Sequence, residues 1–172
     1  PDLRARPHTA RQPGAVVSVV HLIRHAKAKN RDAWEAPDHL RPLTKRGHRE
    51  AVAIAERLAE DPVARLVSSP FVRCLQTLEP LAVALELPIE TTDILAEGAG
   101  GERAFELLLS LAASDSLAIC THGDVFYEVA EAVSRSGVSL AGPRAAAVAS
   151  TWVLTVEDGR FVDARFVEQP PR

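Results

Sequence analysis

The 172-residue chain has no methionine, only two cysteines and few aromatic residues, 5% of the total. Cys74 and Cys120 lie far apart with no metal-type spacing, so they read as reduced thiols of a cytosolic protein and not as a disulfide framework. With so few aromatics the core must be built from Ala, Val, Leu and Ile, a mixture that suits helices packed on a sheet. Apolar runs stay far below the ~20 residues of a membrane span, and no secretory signal pattern is visible. Excess basic charge is also missing. A net charge of −3 gives no general pull toward nucleic acid or an anionic membrane, so any anion site must be a local cluster. The missing methionine and the start at Pro1 read as a processed or trimmed chain, which leaves an upstream signal open.

The length fits one domain. Residues 1–14, "PDLRARPHTARQPG", lack periodicity and read as a flexible tail or linker, with residues 15–172 as a single domain. "AVVSVVHLI" (15–23) is apolar on both faces, as a central parallel strand should be. A polar loop (29–42) leads to a helix over 43–61, with Thr44 as N-cap. A short strand (64–69) ends at Ser69–Pro70, an N-cap followed by a first-turn proline. The helix 70–87 then follows, with a kink or break expected at Pro80. A weaker strand (88–94), a glycine-rich loop (95–102), a helix (103–114), a buried strand (116–121) and a helix (123–137) complete the alternation. Residues 146–168 read as a hairpin around Asp158–Gly159. The order predicts an α/β three-layer sandwich with a mostly parallel central sheet and a C-terminal β-hairpin.

In open α/β sheets ligands bind at the carboxyl ends of the strands. Arg24 and His25 follow the first strand, Ser68 and Ser69 the second, and His122 the fourth, while Arg73 lies one turn into a helix. The fold would thus bring Arg, His, Arg and His to one edge. Two arginines match phosphate oxygens with forked donors, and helix N-termini add N–H groups. A neutral imidazole can attack phosphorus and split one hard step into two. One histidine would be the nucleophile; the other, protonated, would hold the phosphoryl oxygens.

These segments resemble a known family. "LIRHAKA" is similar to the R-H-G signature of the histidine phosphatase superfamily, which includes the phosphoglycerate mutases. "SSPFVRCLQT" resembles its S-x-x-x-R-x-x-Q-T segment, "THGD" its second histidine, and "LRPLTKRGHREA" its R-x-L-T-x-x-G segment. The resemblance spans roughly residues 16–135 and implies catalytic His25, with Arg24, Arg73 and His122 binding the phosphoryl group. It implies no metal and no organic cofactor. Ala26 stands where the family has glycine, a change expected to leave activity intact. Glu97, in "LAEG", occupies the place of a family general acid, which a phosphomonoesterase needs and a phosphohistidine phosphatase needs less.

The short chain leaves little room for a lid and resembles the small SixA-type phosphohistidine phosphatases. The expected partner is therefore a phosphorylated protein, such as a histidine phosphotransfer domain, in the cytoplasm. The alternatives are a small phosphorylated metabolite (sugar phosphate or nucleotide) or a catalytically silent phosphate-binding module. No nucleic acid or membrane partner is expected. His21 and His25 are spaced like a zincin pair, but Leu22 replaces the glutamate and a strand holds them roughly 13 Å apart, so His21 is structural. His8, His39 and His48 have no evident role. Trp34 is the aromatic best placed to contact a substrate, with loop packing as its rival use.

Overall fold

Successive residues of the first apolar run point to opposite faces of a sheet, so burying both faces requires helices on each side. The computed structural model describes residues 16–143 and 146–171; the tail expected over 1–14 lies outside them. The first strand, β1 (Val17–Arg24), is followed by α1 (Lys45–Leu58), β2 (Arg65–Ser68), α2 (Val72–Leu85), β3 (Ile89–Thr91), α3 (Gly101–Ala112), β4 (Leu117–Thr121) and α4 (Gly123–Arg135). The last two strands are β5 (Thr151–Glu157) and β6 (Arg160–Val167). They form one six-stranded sheet in the order β3-β2-β4-β1-β5-β6. The four strands β3, β2, β4 and β1 run parallel, and β5 and β6 close the sheet antiparallel. This is the expected sandwich with its hairpin.

The alternation within the strands separates two cores. Val20, Leu22, Leu117 and Ile119 face α3 and α4, with Leu108, Phe126 and Val129 packed on them. Ile23, Leu66, Ala118 and Cys120 face α1 and α2, with Ile54, Leu58, Leu78 and Leu81. The chain winds outward from β1 to β3 with helices on one face, then returns to β4 with helices on the other. Right-handed crossovers require that exchange of faces.

Two local expectations change. Helix α2 runs through Pro80 without a break, because buried Leu78 and Leu81 on either side of it anchor the helix to the sheet. Its first helical residue is Val72, not Pro70, and no side chain caps it; Ser69 is engaged elsewhere. The hairpin strand β5 begins only at Thr151, and the turn is Asp158–Gly159 with φ of 49° and 74°, the paired positive φ of a tight hairpin turn. Thr44 does cap α1, accepting from the Gly47 amide. A Cβ on Gly47 would stand 2.2 Å from the Lys27 carbonyl oxygen, so only glycine lets α1 pack against the chain leaving β1. Gly47→Ala should therefore cost about 1–3 kcal/mol or more, read as a lower urea midpoint at unchanged slope.

Candidate active site

The register of the parallel strands assembles the site. Arg24 pairs with Thr121 and Ser68 with Cys120, so the next residue of each strand, His25, His122 and Ser69, emerges at one edge of the sheet. His25 is largely buried and donates from Nδ1 to the Ala26 carbonyl at 2.8 Å, which leaves Nε2 with its lone pair. The His25 and His122 rings meet edge to face, 5.4 Å between centroids. Burial pushes the His25 imidazole down to about 3, with His122, Arg73 and Arg24 adding to the shift. It is therefore neutral.

Arg73 is completely buried. Its guanidinium donates to the Asp38 carbonyl (2.9 Å), Asp38 Oδ2 (3.0 Å) and Glu97 Oε2 (2.9 Å), and it lies over the Phe71 ring. It also reaches His122 Nδ1 at 3.3 Å, while His122 Nε2 meets Ser69 Oγ at 2.7 Å. His122 thus sits between the Arg73 guanidinium and the Ser69 hydroxyl. Arg24 donates to the Ala146 carbonyl. Its guanidinium packs so closely on Gly123 that a Cβ there would lie 2.9 Å from the guanidinium carbon. Helix α4 starts at Gly123 behind His122 as N-cap, with no side chain capping its first turn.

Above these groups opens a cleft of about 1120 Å³ lined by His25, Arg24, Glu97 and Asp124 among others. Residues 20–104 match the sequence model of the histidine phosphatase superfamily (branch 1). The chain belongs to the histidine phosphatase superfamily. It is 32% identical over 155 residues to the 8-oxo-(d)GTP phosphatase of Mycolicibacterium smegmatis, covering 88% of this chain and 48% of that protein. The chain thus spans about half the length of that curated relative. The protein histidine phosphatase SixA complexed with tungstate is 26% identical, with a TM-score of 0.69 over 88% of this chain and 95% of that one. SixA of Agrobacterium tumefaciens shares the fold at a TM-score of 0.72 and 24% identity, covering 90% of this chain and 99% of that one.

The motif residues have distinct tasks, several of them not foreseen. Ser69 receives His122. Gln76 Oε1 accepts from the Leu43 amide at 2.8 Å. Thr77 accepts from the Ala26 amide at 3.0 Å and donates to the Arg73 carbonyl at 2.7 Å, tying the residue after His25 to the helix that carries Arg73. Arg41 clamps the loop through Asp38 Oδ1 and the Lys29 carbonyl. Asp38 was not anticipated; although partial burial works against it, Arg41, Arg73 and Arg31 hold its carboxyl below the ordinary range. Ala149, with φ of 62°, donates to both the Arg24 and His25 carbonyls, so the segment expected to be strand instead steadies the backbone of Arg24 and His25.

The other expectations resolve plainly. Ala26 is absent from the residues of positive φ, so alanine sits there without backbone strain. Glu97 does turn to the site, bound by Arg73 and, through both oxygens, by Arg31 at 2.7 and 2.9 Å. Trp34 donates to the Pro37 carbonyl at 3.1 Å and takes the Lys29 ammonium on its face; it packs its own loop and is not part of the cleft lining. Cys74 and Cys120 are free and buried, and burial pushes the Cys120 thiol up. His21 is buried with Nε2 3.4 Å from Asp61, a structural role. No helix among the described residues is long and apolar enough to cross a membrane.

Two outcomes follow. Gly123→Ala should keep the fold and displace the Arg24 guanidinium, lowering kcat/KM on the order of 10–100-fold, measured beside thermal stability. Burial also lowers His21, to about 4 from 6.5. For both rings the folded pKa lies below the unfolded value, so the unfolded chain binds more protons between the two. Stability is full above pH about 6.5 and declines as pH falls toward 4. Urea midpoints measured down that range should drop monotonically.

Proposed function

We propose that the protein is a phosphohydrolase that transfers a phosphoryl group to His25 and then to water. The observation that carries this is the His25 ring, neutral and fixed through Nδ1, with Nε2 left as nucleophile among Arg24, Arg73 and His122. Attack by Nε2 on phosphorus breaks the bond to the leaving group. Water then attacks the phosphohistidine, the N–P bond breaks, and orthophosphate leaves with the imidazole restored. Arg24 and Arg73 each keep a buried Nε–H with no partner among the described residues, donors that phosphoryl oxygens would satisfy. The first turn of α4 adds its N–H groups. Charge stabilisation of this kind suits phosphoryl transfer.

Glu97 narrows the substrate. Both its oxygens accept from guanidinium groups, so it stands as an acceptor and not as a carboxylic acid ready to protonate an alkoxide. The site therefore favours leaving groups that depart without such a proton. A phosphoramidate is one, which supports a SixA-type protein phosphohistidine phosphatase of the cytoplasm acting on a phosphorylated protein. A phosphoanhydride is another. Five cationic side chains line the cleft against two carboxylates, and a relative acts on 8-oxo-(d)GTP; both observations favour a nucleotide as the second reading.

His25→Ala should abolish phosphate release from every substrate, a loss on the order of 10³-fold or more, while Glu97→Gln should spare phosphoramidate and phosphoanhydride hydrolysis. Single-turnover assays with a phosphohistidine protein, a nucleoside triphosphate and a sugar phosphate decide the matter. Full activity in His25→Ala removes the covalent mechanism, and a Glu97→Gln enzyme dead on all three restores Glu97 as general acid.

A further inference from the structure

The chain leaving β1 continues past the nucleophile toward the mouth of the cleft. His25 still extends the ladder, its amide bonding to the Thr121 carbonyl at 3.0 Å, and Ala28 forms an antiparallel bridge with Leu43. Ala26 and Ala28 are buried on the inner side. Lys27 and Lys29 alternate with them, exposed, and both line the same cleft as His25. Residues two apart on extended chain share a face at roughly 7 Å per step. Counted outward from the nucleophile, the cleft therefore carries a cation at each step.

These positions are fixed. The Lys27 amide donates to buried Glu50 at 2.9 Å, and its carbonyl accepts from both the Thr44 amide (2.8 Å) and hydroxyl (3.0 Å). The Lys29 amide donates to the Pro42 carbonyl at 2.9 Å, and its ammonium rests 5.5 Å from the Trp34 ring centre. Their charges are also uncommitted. Arg31 is spent on Glu97 and Asp38, and Arg41 on Asp38, but among the described residues neither lysine is in an ion pair. Helix α1, whose N-cap Thr44 lines the cleft, has no acid in its first turn and opens with Lys45–Arg46. That order opposes the helix dipole unless an anion is near.

We infer that Lys27 and Lys29 form a second anion subsite that holds the leaving group of a substrate with linked phosphates, a phosphoanhydride. The inference rests on the His25 chemistry proposed above and chooses between its two substrate classes. His25 Nε2 attacks the terminal phosphorus, the bridging P–O bond breaks, and the departing phosphate keeps its electron pair as an anion neutralised by the lysines. No proton from Glu97 is needed.

The test is binding of orthophosphate, pyrophosphate and tripolyphosphate to the His25→Ala protein by calorimetry, where turnover cannot interfere. A nucleoside triphosphate and inorganic tripolyphosphate, compared as substrates of wild type, separate a nucleotide from a plain phosphate chain. Tripolyphosphate should bind about tenfold more tightly than orthophosphate, and Lys27→Ala with Lys29→Ala should bring that ratio close to one, while the two Lys→Arg changes should preserve it. Equal affinities at the start, or a preference that survives the double alanine change, overturns the subsite. If the lysines instead prove necessary only for a phosphohistidine protein, the subsite reads a protein surface and the inference is wrong. No binding of even orthophosphate would sink the His25 reading as well.

Discussion

Everything at the site is arranged around one buried cation. Arg73 is wholly removed from water, and a guanidinium in that position is tolerable only if charges and acceptors meet it. Asp38 comes from the loop after β1, Glu97 from the loop after β3, and His122 from the end of β4. Each belongs to a different segment, so satisfying Arg73 draws three loops onto one edge of the sheet. Thr77, one turn further along α2, extends this hold to Ala26.

The same arrangement explains the division of labour among acidic groups. Glu97 shares its two oxygens between Arg31 and Arg73, so its charge offsets that of the buried arginine. The cleft beside these groups is lined mainly by cations, in a protein of net negative charge.

Much of this was legible in the residues. The alternating apolar strands, the capping threonine and the Asp158–Gly159 turn led to the right layers, because local pattern and global fold agree there. Arg24, His25, Arg73 and His122 could be named because each closes a strand or opens a helix. Ser69 was read as a helix cap and instead meets His122, while Asp38, Gln76 and Ala149 could not be assigned tasks, because these roles exist only across long sequence separations. The break expected at Pro80 failed for a related reason: packing of the helix on the sheet outweighs the one hydrogen bond a proline removes.

The sequence alone determined the alternation of elements, the two-sided burial of the central strands and which arginines and histidines stand at the strand ends, since these follow from periodicity and from residue type at element ends. Only the tertiary structure decided that Glu97 is bound by two arginines, that His122 lies between Arg73 and Ser69, that Trp34 serves its own loop, and that Lys27 and Lys29 face the cleft. Those are questions of direction and distance between residues far apart in the chain, and burial, not local preference, settles them.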